Sequence, residues 1–133
     1  NTGSPHLVRF VSDVEHYPVV ETGREIRYSN AFMPGGTNVN FAEIMSGNTI
    51  FVRTYERGVE DETLSCGTGV TAAALAASFH NLTSPVSVRT RGGNLNVEFK
   101  TRQQGPPSGQ GGMFHEIYLI GPAKLVFEGD LEL

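Results

Sequence analysis

Apolar residues come in short alternating bursts along most of the chain, separated by glycine, proline and asparagine. Leu7 to Val11 follows the turn-forming Gly3-Ser4-Pro5 and predicts a strand. Pro18 suits the first turn of a helix carried by Val19, Val20 and Ile26, with Gly23 weakening it. Pro-Gly-Gly within Met33 to Thr37 predicts a loop, after which Val39, Phe41 and Ile44 mark a strand ending near Ser46. Gly47-Asn48 tolerates positive φ and predicts a tight turn, making Thr49 to Tyr55 the antiparallel partner. Val86 to Thr90 and Leu95 to Lys100 predict a second hairpin around Gly92-Gly93-Asn94, with one face buried. Gln103 to Gly112 reads as a loop, and Phe114 to Ile120 and Leu125 to Leu133 as closing strands.

One segment departs from this rhythm. No Asp, Glu, Lys or Arg occurs between Glu62 and Arg89, and Gly67 to His80 is nearly all Ala, Gly, Thr, Val, Leu and Phe. A helix that is apolar on every side has to be surrounded. The flanking strands are its natural cover, so the expected fold class is α+β: a mixed or antiparallel sheet wrapped as a barrel-like layer around a central apolar helix.

Composition narrows the function classes. The 133 residues suit one domain, 1–133, and 16 Gly with 7 Pro fit many turns between short elements. A net charge of -4 offers no basic stripe for nucleic acid. The single cysteine can form neither an internal disulfide nor a multi-cysteine zinc site, and a reducing, cytoplasmic setting is expected. No apolar stretch is long enough for a membrane span. The chain opens at Asn1-Thr2 and runs at once into a strand pattern, which suggests a piece of something longer.

The candidate chemistry lies in Cys66-Gly67-Thr68-Gly69, at the mouth of the apolar helix. Two glycines let a ligand approach the backbone, and first-turn amides lack helical acceptors. Those donors and the helix dipole favour a carboxylate or phosphate. The same field stabilises a thiolate, making Cys66 a candidate base or nucleophile. Alternatives are a cysteine that serves as a small buried apolar residue, a cramped Gly-Thr-Gly packing corner, or a phosphate-binding turn. The last is disfavoured, because neither the Gly-Lys-Ser/Thr of a P-loop nor the Rossmann glycine spacing is present.

Tyr55-Glu56-Arg57-Gly58 followed by Glu62-Thr63-Leu64-Ser65-Cys66-Gly67-Thr68-Gly69 resembles the second-cysteine signature of diaminopimelate epimerases. Gly3-Ser4-Pro5-His6 resembles the family's Gly-Asn-Pro-His turn, Thr37-Asn38-Val39-Asn40-Phe41 its substrate-binding asparagine segment, and Gly121-Pro122-Ala123 its closing turn. The resemblance spans essentially the whole chain and implies the C-terminal one of two pseudo-symmetric domains, with an N-terminal half and its own cysteine absent. It implies an enzyme that interconverts LL- and meso-diaminopimelate with two cysteines, no metal and no cofactor, in lysine and peptidoglycan precursor biosynthesis. Cys66 would be one of the pair, with His6 and Glu56 tuning the cysteines. Gly67 and Thr68 would hold the reacting carboxylate through their amides, and Asn38, Glu56 and Arg57 the distal amino-acid group. The implied partners are diaminopimelate and the missing half, with a homodimer of the complete enzyme allowed and neither nucleic acid nor membrane involved.

Two departures stand out. Ser4 occupies the place of the family's Asn, exchanging an amide contact to substrate for a hydroxyl. Glu60-Asp61-Glu62 brings acidic charge towards Cys66, where it would oppose a thiolate unless it points away. Alternative functions are a proline or hydroxyproline racemase of the same fold, against which Arg57 argues because a cyclic substrate has no second carboxylate, and a non-catalytic carboxylate-binding domain.

Overall fold

The computed structural model describes residues 2–102 and 113–132. Within them, β1 (His6–Phe10), α1 (Val19–Arg27), β2 (Asn38–Met45), β3 (Thr49–Glu56), β4 (Asp61–Thr63), α2 (Gly67–Ala77), β5 (Val86–Thr90), β6 (Gly93–Thr101) and β7 (Phe114–Ile120) follow one another. The strands form a single mixed sheet ordered β1-β2-β3-β5-β6-β7, with the short β4 added to β3. The β1–β2 and β3–β5 pairs are parallel and the rest antiparallel. Curled into a half-barrel, the sheet packs α2 on one face and α1 on the other.

Strand alternation sorts the core onto these two faces. From β2 and β3, Val39, Phe41, Phe51 and Tyr55 join Val14 and Val19 beneath α1. Ala42, Ile50 and Val52 meet Val70, Ala73, Ala74 and Ala77 of α2, and Val86, Val88, Val97 and Phe99 extend that cluster. Both faces of the central strands are thus buried. Gly23, which weakens α1 as a helix, is required by packing: a β-carbon there would lie 2.4 Å from Cβ of Tyr55. Arg53 is 7% exposed on the α1 face, where it binds Glu62 through two nitrogens at 2.7 and 2.6 Å. Its third nitrogen donates to the carbonyls of Val14, Glu15 and Tyr17 at 2.8 to 3.0 Å. One guanidinium therefore ties β4 and the loop before α1 to β3.

Several expectations need correction. The predicted strand at Leu125 to Leu133 is not formed: residues 121–132 have no regular structure, and Leu125, Val126, Phe127 and Leu131 are exposed. A strand needs an edge to pair with, and no edge among the described residues receives this segment. The second hairpin turns at Arg91-Gly92, with Gly93 and Asn94 already in β6. The apolar helix ends at Ala77 in a 3-10 turn, Ser78–His80. The sheet covers only part of its circumference, leaving Thr68, Ala72, Ala76 and Phe79 along a less covered stripe. The loop expected at Gln103 to Gly112 lies outside the described residues.

Candidate active site

Cys66 is the N-cap residue of α2, in extended conformation, and its carbonyl accepts the Val70 N–H at 2.8 Å. No side chain caps the helix, so the first-turn amides of Gly67 and Thr68 face outwards without an intrahelical acceptor. Cys66 is a free, buried thiol. The Thr68 hydroxyl lies 3.6 Å from its sulfur.

His6, the first residue of β1, reaches the same hydroxyl. Its Nε2 is 2.9 Å from Thr68 Oγ1 and 3.0 Å from Ser4 Oγ. Burial pushes the imidazole below its ordinary pKa and favours the neutral ring; the Arg57 charge acts in the same sense and Glu56 opposes it. Ser4, His6, Thr68 and Cys66 therefore form one contiguous polar cluster, drawn from the turn before β1 and the start of α2.

Asn38 joins this cluster to the end of β3. Its amide nitrogen donates to Ser4 Oγ at 3.3 Å and to the Pro5 carbonyl at 3.0 Å, and its oxygen accepts the Arg57 N–H at 2.8 Å. The Arg57 side chain donates through Nη1 to the Gly35 carbonyl at 2.9 Å, and its other nitrogens have no protein acceptor among the described residues. The Glu56 carboxylate accepts from the Thr63 hydroxyl at 2.9 Å, three residues before Cys66. The residues singled out from sequence thus gather at one end of α2, although neither Glu56 nor Arg57 has a direct hydrogen bond to Cys66 or Thr68.

Two of the three acidic side chains that precede Cys66, Glu60 and Glu62, are engaged by basic partners. Glu62 is paired with Arg53, and Arg91 lies 3.4 Å from the same carboxylate. Glu60 receives Arg27, the Tyr55 hydroxyl and the Gly58 N–H. Chiefly the Gly58 N–H, against opposing burial and with help from Tyr28, Arg27 and Tyr55, depresses the Glu60 pKa to about 2.

Asn40 was missed by sequence reasoning. It is fully buried between β1, β3 and α2, 3.2 Å from His6 Nδ1, and the signal was available: a polar residue inside a strand with apolar neighbours on both sides. Among the described residues no cluster of His, Cys, Asp and Glu has the makings of a metal site.

A family model described as diaminopimelate epimerase matches residues 1–126. The chain is 46% identical over 134 residues to the diaminopimelate epimerase of Aquifex aeolicus (strain VF5), covering 98% of this chain and 44% of that protein. It is 47% identical over 134 residues to the one from Archaeoglobus fulgidus, covering 100% of this chain and 42% of the relative. Among solved structures it is similar to a Bacillus anthracis phenazine biosynthesis protein of the PhzF family, with TM-score 0.50 and 18% identity over 72% of this chain and 31% of that one, a likeness of fold alone. The chain spans a little under half the length of these curated relatives. With a family model matched across nearly its whole length, the chain belongs to the diaminopimelate epimerase family.

Proposed function

We propose that this chain is the C-terminal half of a diaminopimelate epimerase and contributes one of two catalytic cysteines, Cys66. The observation that carries the reading is a buried thiol at the open N-terminus of α2, beside uncapped amides and within reach of the His6–Thr68 pair.

A proton α to a carboxylate is removed only where the developing negative charge is stabilised. The Gly67 and Thr68 amides, with the helix dipole, are aimed to hold that carboxylate. In the direction in which Cys66 is the base, its thiolate takes the proton as the Cα–H bond breaks, and the electron pair moves into the carboxylate. A second thiol, from the other half, delivers a proton to the opposite face and inverts the centre. His6 and Glu56 tune the cysteines, Arg57 offers its unused nitrogens to the distal carboxylate, and Asn38 and Ser4 line the distal site. The chemistry asks for no cofactor.

The missing half also accounts for what the half-barrel leaves uncovered. A groove of about 670 Å³ runs beside α2, lined mostly by apolar side chains such as Leu75, Phe79 and Leu119, with Thr2, His6 and Thr71 as its polar lining. Diaminopimelate, with its two carboxylates and two amino groups, does not suit such a lining. The rest of the enzyme does, and completes the sheet around α2; a contiguous apolar surface of this kind marks an interface.

The test is to mix the chain with the N-terminal half of a relative and follow LL-diaminopimelate to the meso form in deuterated water. Conversion should require both halves and vanish with Cys66→Ala. Robust conversion by this chain alone would overturn the two-cysteine reading, and conversion of proline in place of diaminopimelate would favour the racemase alternative.

A further inference from the structure

The neutral imidazole of His6 can carry its proton on either nitrogen, and only one arrangement lets it support Cys66. The geometry points to Asn40 as the residue that selects it: we propose that the buried Asn40 amide holds His6 as the Nε2–H tautomer and so directs the Thr68 hydroxyl proton at the Cys66 sulfur. The mechanical part stands on hydrogen-bond geometry, while its use in catalysis rests on the function proposed above.

Asn40 Nδ2 is 2.9 Å from the Leu7 carbonyl, which can only accept, so the NH₂ end of the amide must face β1. The Thr54 hydroxyl satisfies the other end, donating to Oδ1 at 2.9 Å. The same NH₂ then meets His6 Nδ1 at 3.2 Å and donates its second proton there. A nitrogen that accepts is unprotonated, and the neutral ring carries its hydrogen on Nε2. Nε2–H faces Thr68 Oγ1 at 2.9 Å and Ser4 Oγ at 3.0 Å. A Thr68 oxygen that accepts from the ring keeps its own hydrogen free to point at the sulfur 3.6 Å away, with Ser4 Oγ at 3.4 Å the other acceptor in reach. In the opposite tautomer, Nε2 would accept from Thr68 or Ser4 and compete with the sulfur for the Thr68 hydrogen.

The site is built to keep the amide in place. Asn40 is 0% exposed, pairs with Thr54 in register across β2 and β3, and lies against Gly69, where a β-carbon would come within 2.3 Å of its oxygen. Its hydrogen bonds go to His6, Leu7 and Thr54 and none to Cys66, which makes it a positioning residue.

The first measurement is a long-range ¹H–¹⁵N correlation spectrum of the ¹⁵N-labelled chain, recorded above the histidine titration range, with His6→Gln to assign the His6 ring among the four histidines. The expected spectrum has a bare Nδ1 and a protonated Nε2; a protonated Nδ1 overturns the assignment. The second uses Asn40→Asp, nearly equal in volume but offering only acceptors. In that variant the proton should move to Nδ1, and alkylation of Cys66 by iodoacetamide should slow severalfold. A folded variant that keeps the Nε2–H ring and the wild-type alkylation rate also overturns it. The buried carboxylate faces the Leu7 carbonyl and costs stability, so the unmodified chain's spectrum decides the matter if the variant does not fold. No substrate turns over in either experiment, which separates failure of this inference from failure of the proposed epimerase function.

Discussion

Gly69→Ala puts one carbon where the structure has none to spare. The new β-carbon would lie 2.3 Å from Asn40 Oδ1, 3.3 Å from its Cγ and 3.4 Å from Cβ of Cys66. Restoring ordinary van der Waals separation requires a displacement of about 1 Å. The side chain that must move is fully buried and anchored by the Leu7 carbonyl, His6 Nδ1 and the Thr54 hydroxyl. Each of these bonds is worth about 1 kcal/mol net, and weakening all of them costs about 3 kcal/mol. Alanine in the first turn of a helix returns at most about 1 kcal/mol of propensity. The expected balance is a loss of about 2 kcal/mol, or roughly 6 to 10 °C in Tm for a chain of this size. Urea and thermal unfolding followed by circular dichroism measure it. The double variant with Asn40→Ala should lose less than the sum of the two single losses, because removing the amide makes room for the methyl. A Gly69→Ala chain as stable as the wild type, or strictly additive losses, would refute the reasoning.

Two other outcomes follow from the polar contacts. In the complemented enzyme, Arg57→Lys should raise KM for diaminopimelate about tenfold or more with kcat less affected, since an ammonium keeps the charge but not the planar fork; unchanged kinetics would return Arg57 to its Gly35 contact alone. Glu60 has a folded-state pKa of about 2 against an ordinary value of 4.5, so its contribution to stability is complete above pH 4.5 and is lost as pH falls towards 2. Urea midpoints of wild type and Glu60→Gln should therefore differ at pH 6 and converge on acidification, and parallel curves would contradict the assignment.

Most elements of the fold were legible because alternation is a local property. Gly47-Asn48 turns as expected, with Gly47 at φ 69° and Asn48 at φ 57°, and the strands on either side pair antiparallel. Other features depended on partners outside their own run of residues. The three-residue β4 has no periodicity of its own; it pairs with the end of β3, where Arg53 also holds Glu62. Leu125 to Leu133 carries a strand's composition, yet composition supplies no edge to pair with. The absence of charge between Glu62 and Arg89 marked the helix α2, which buries one side against the sheet, but the pattern does not say how far round the helix the cover extends.

The site was legible only where its residues form local motifs. Cys66-Gly67-Thr68-Gly69 announces itself, whereas the contact of His6 with Thr68 joins residues 62 positions apart. Asn40 is the more instructive case. Along the α2 face of β2 and β3, the paired rungs read Asn40 with Thr54, Ala42 with Val52, and Ile44 with Ile50. The rung next to the helix N-terminus is polar and those further along are apolar, with Asn40, Ala42, Ile50, Val52 and Thr54 buried and Ile44 exposed at the far end. A buried amide there is tolerated only because every hydrogen-bonding group on it is engaged, and among the described residues no buried side-chain nitrogen or oxygen lacks a partner. The requirement that satisfies Asn40 also orients His6 and forces glycine at 69. Packing the top of the core and aligning the proposed catalytic groups are therefore the same constraint, and substitutions at positions 40, 54 and 69 should disturb stability and Cys66 reactivity together.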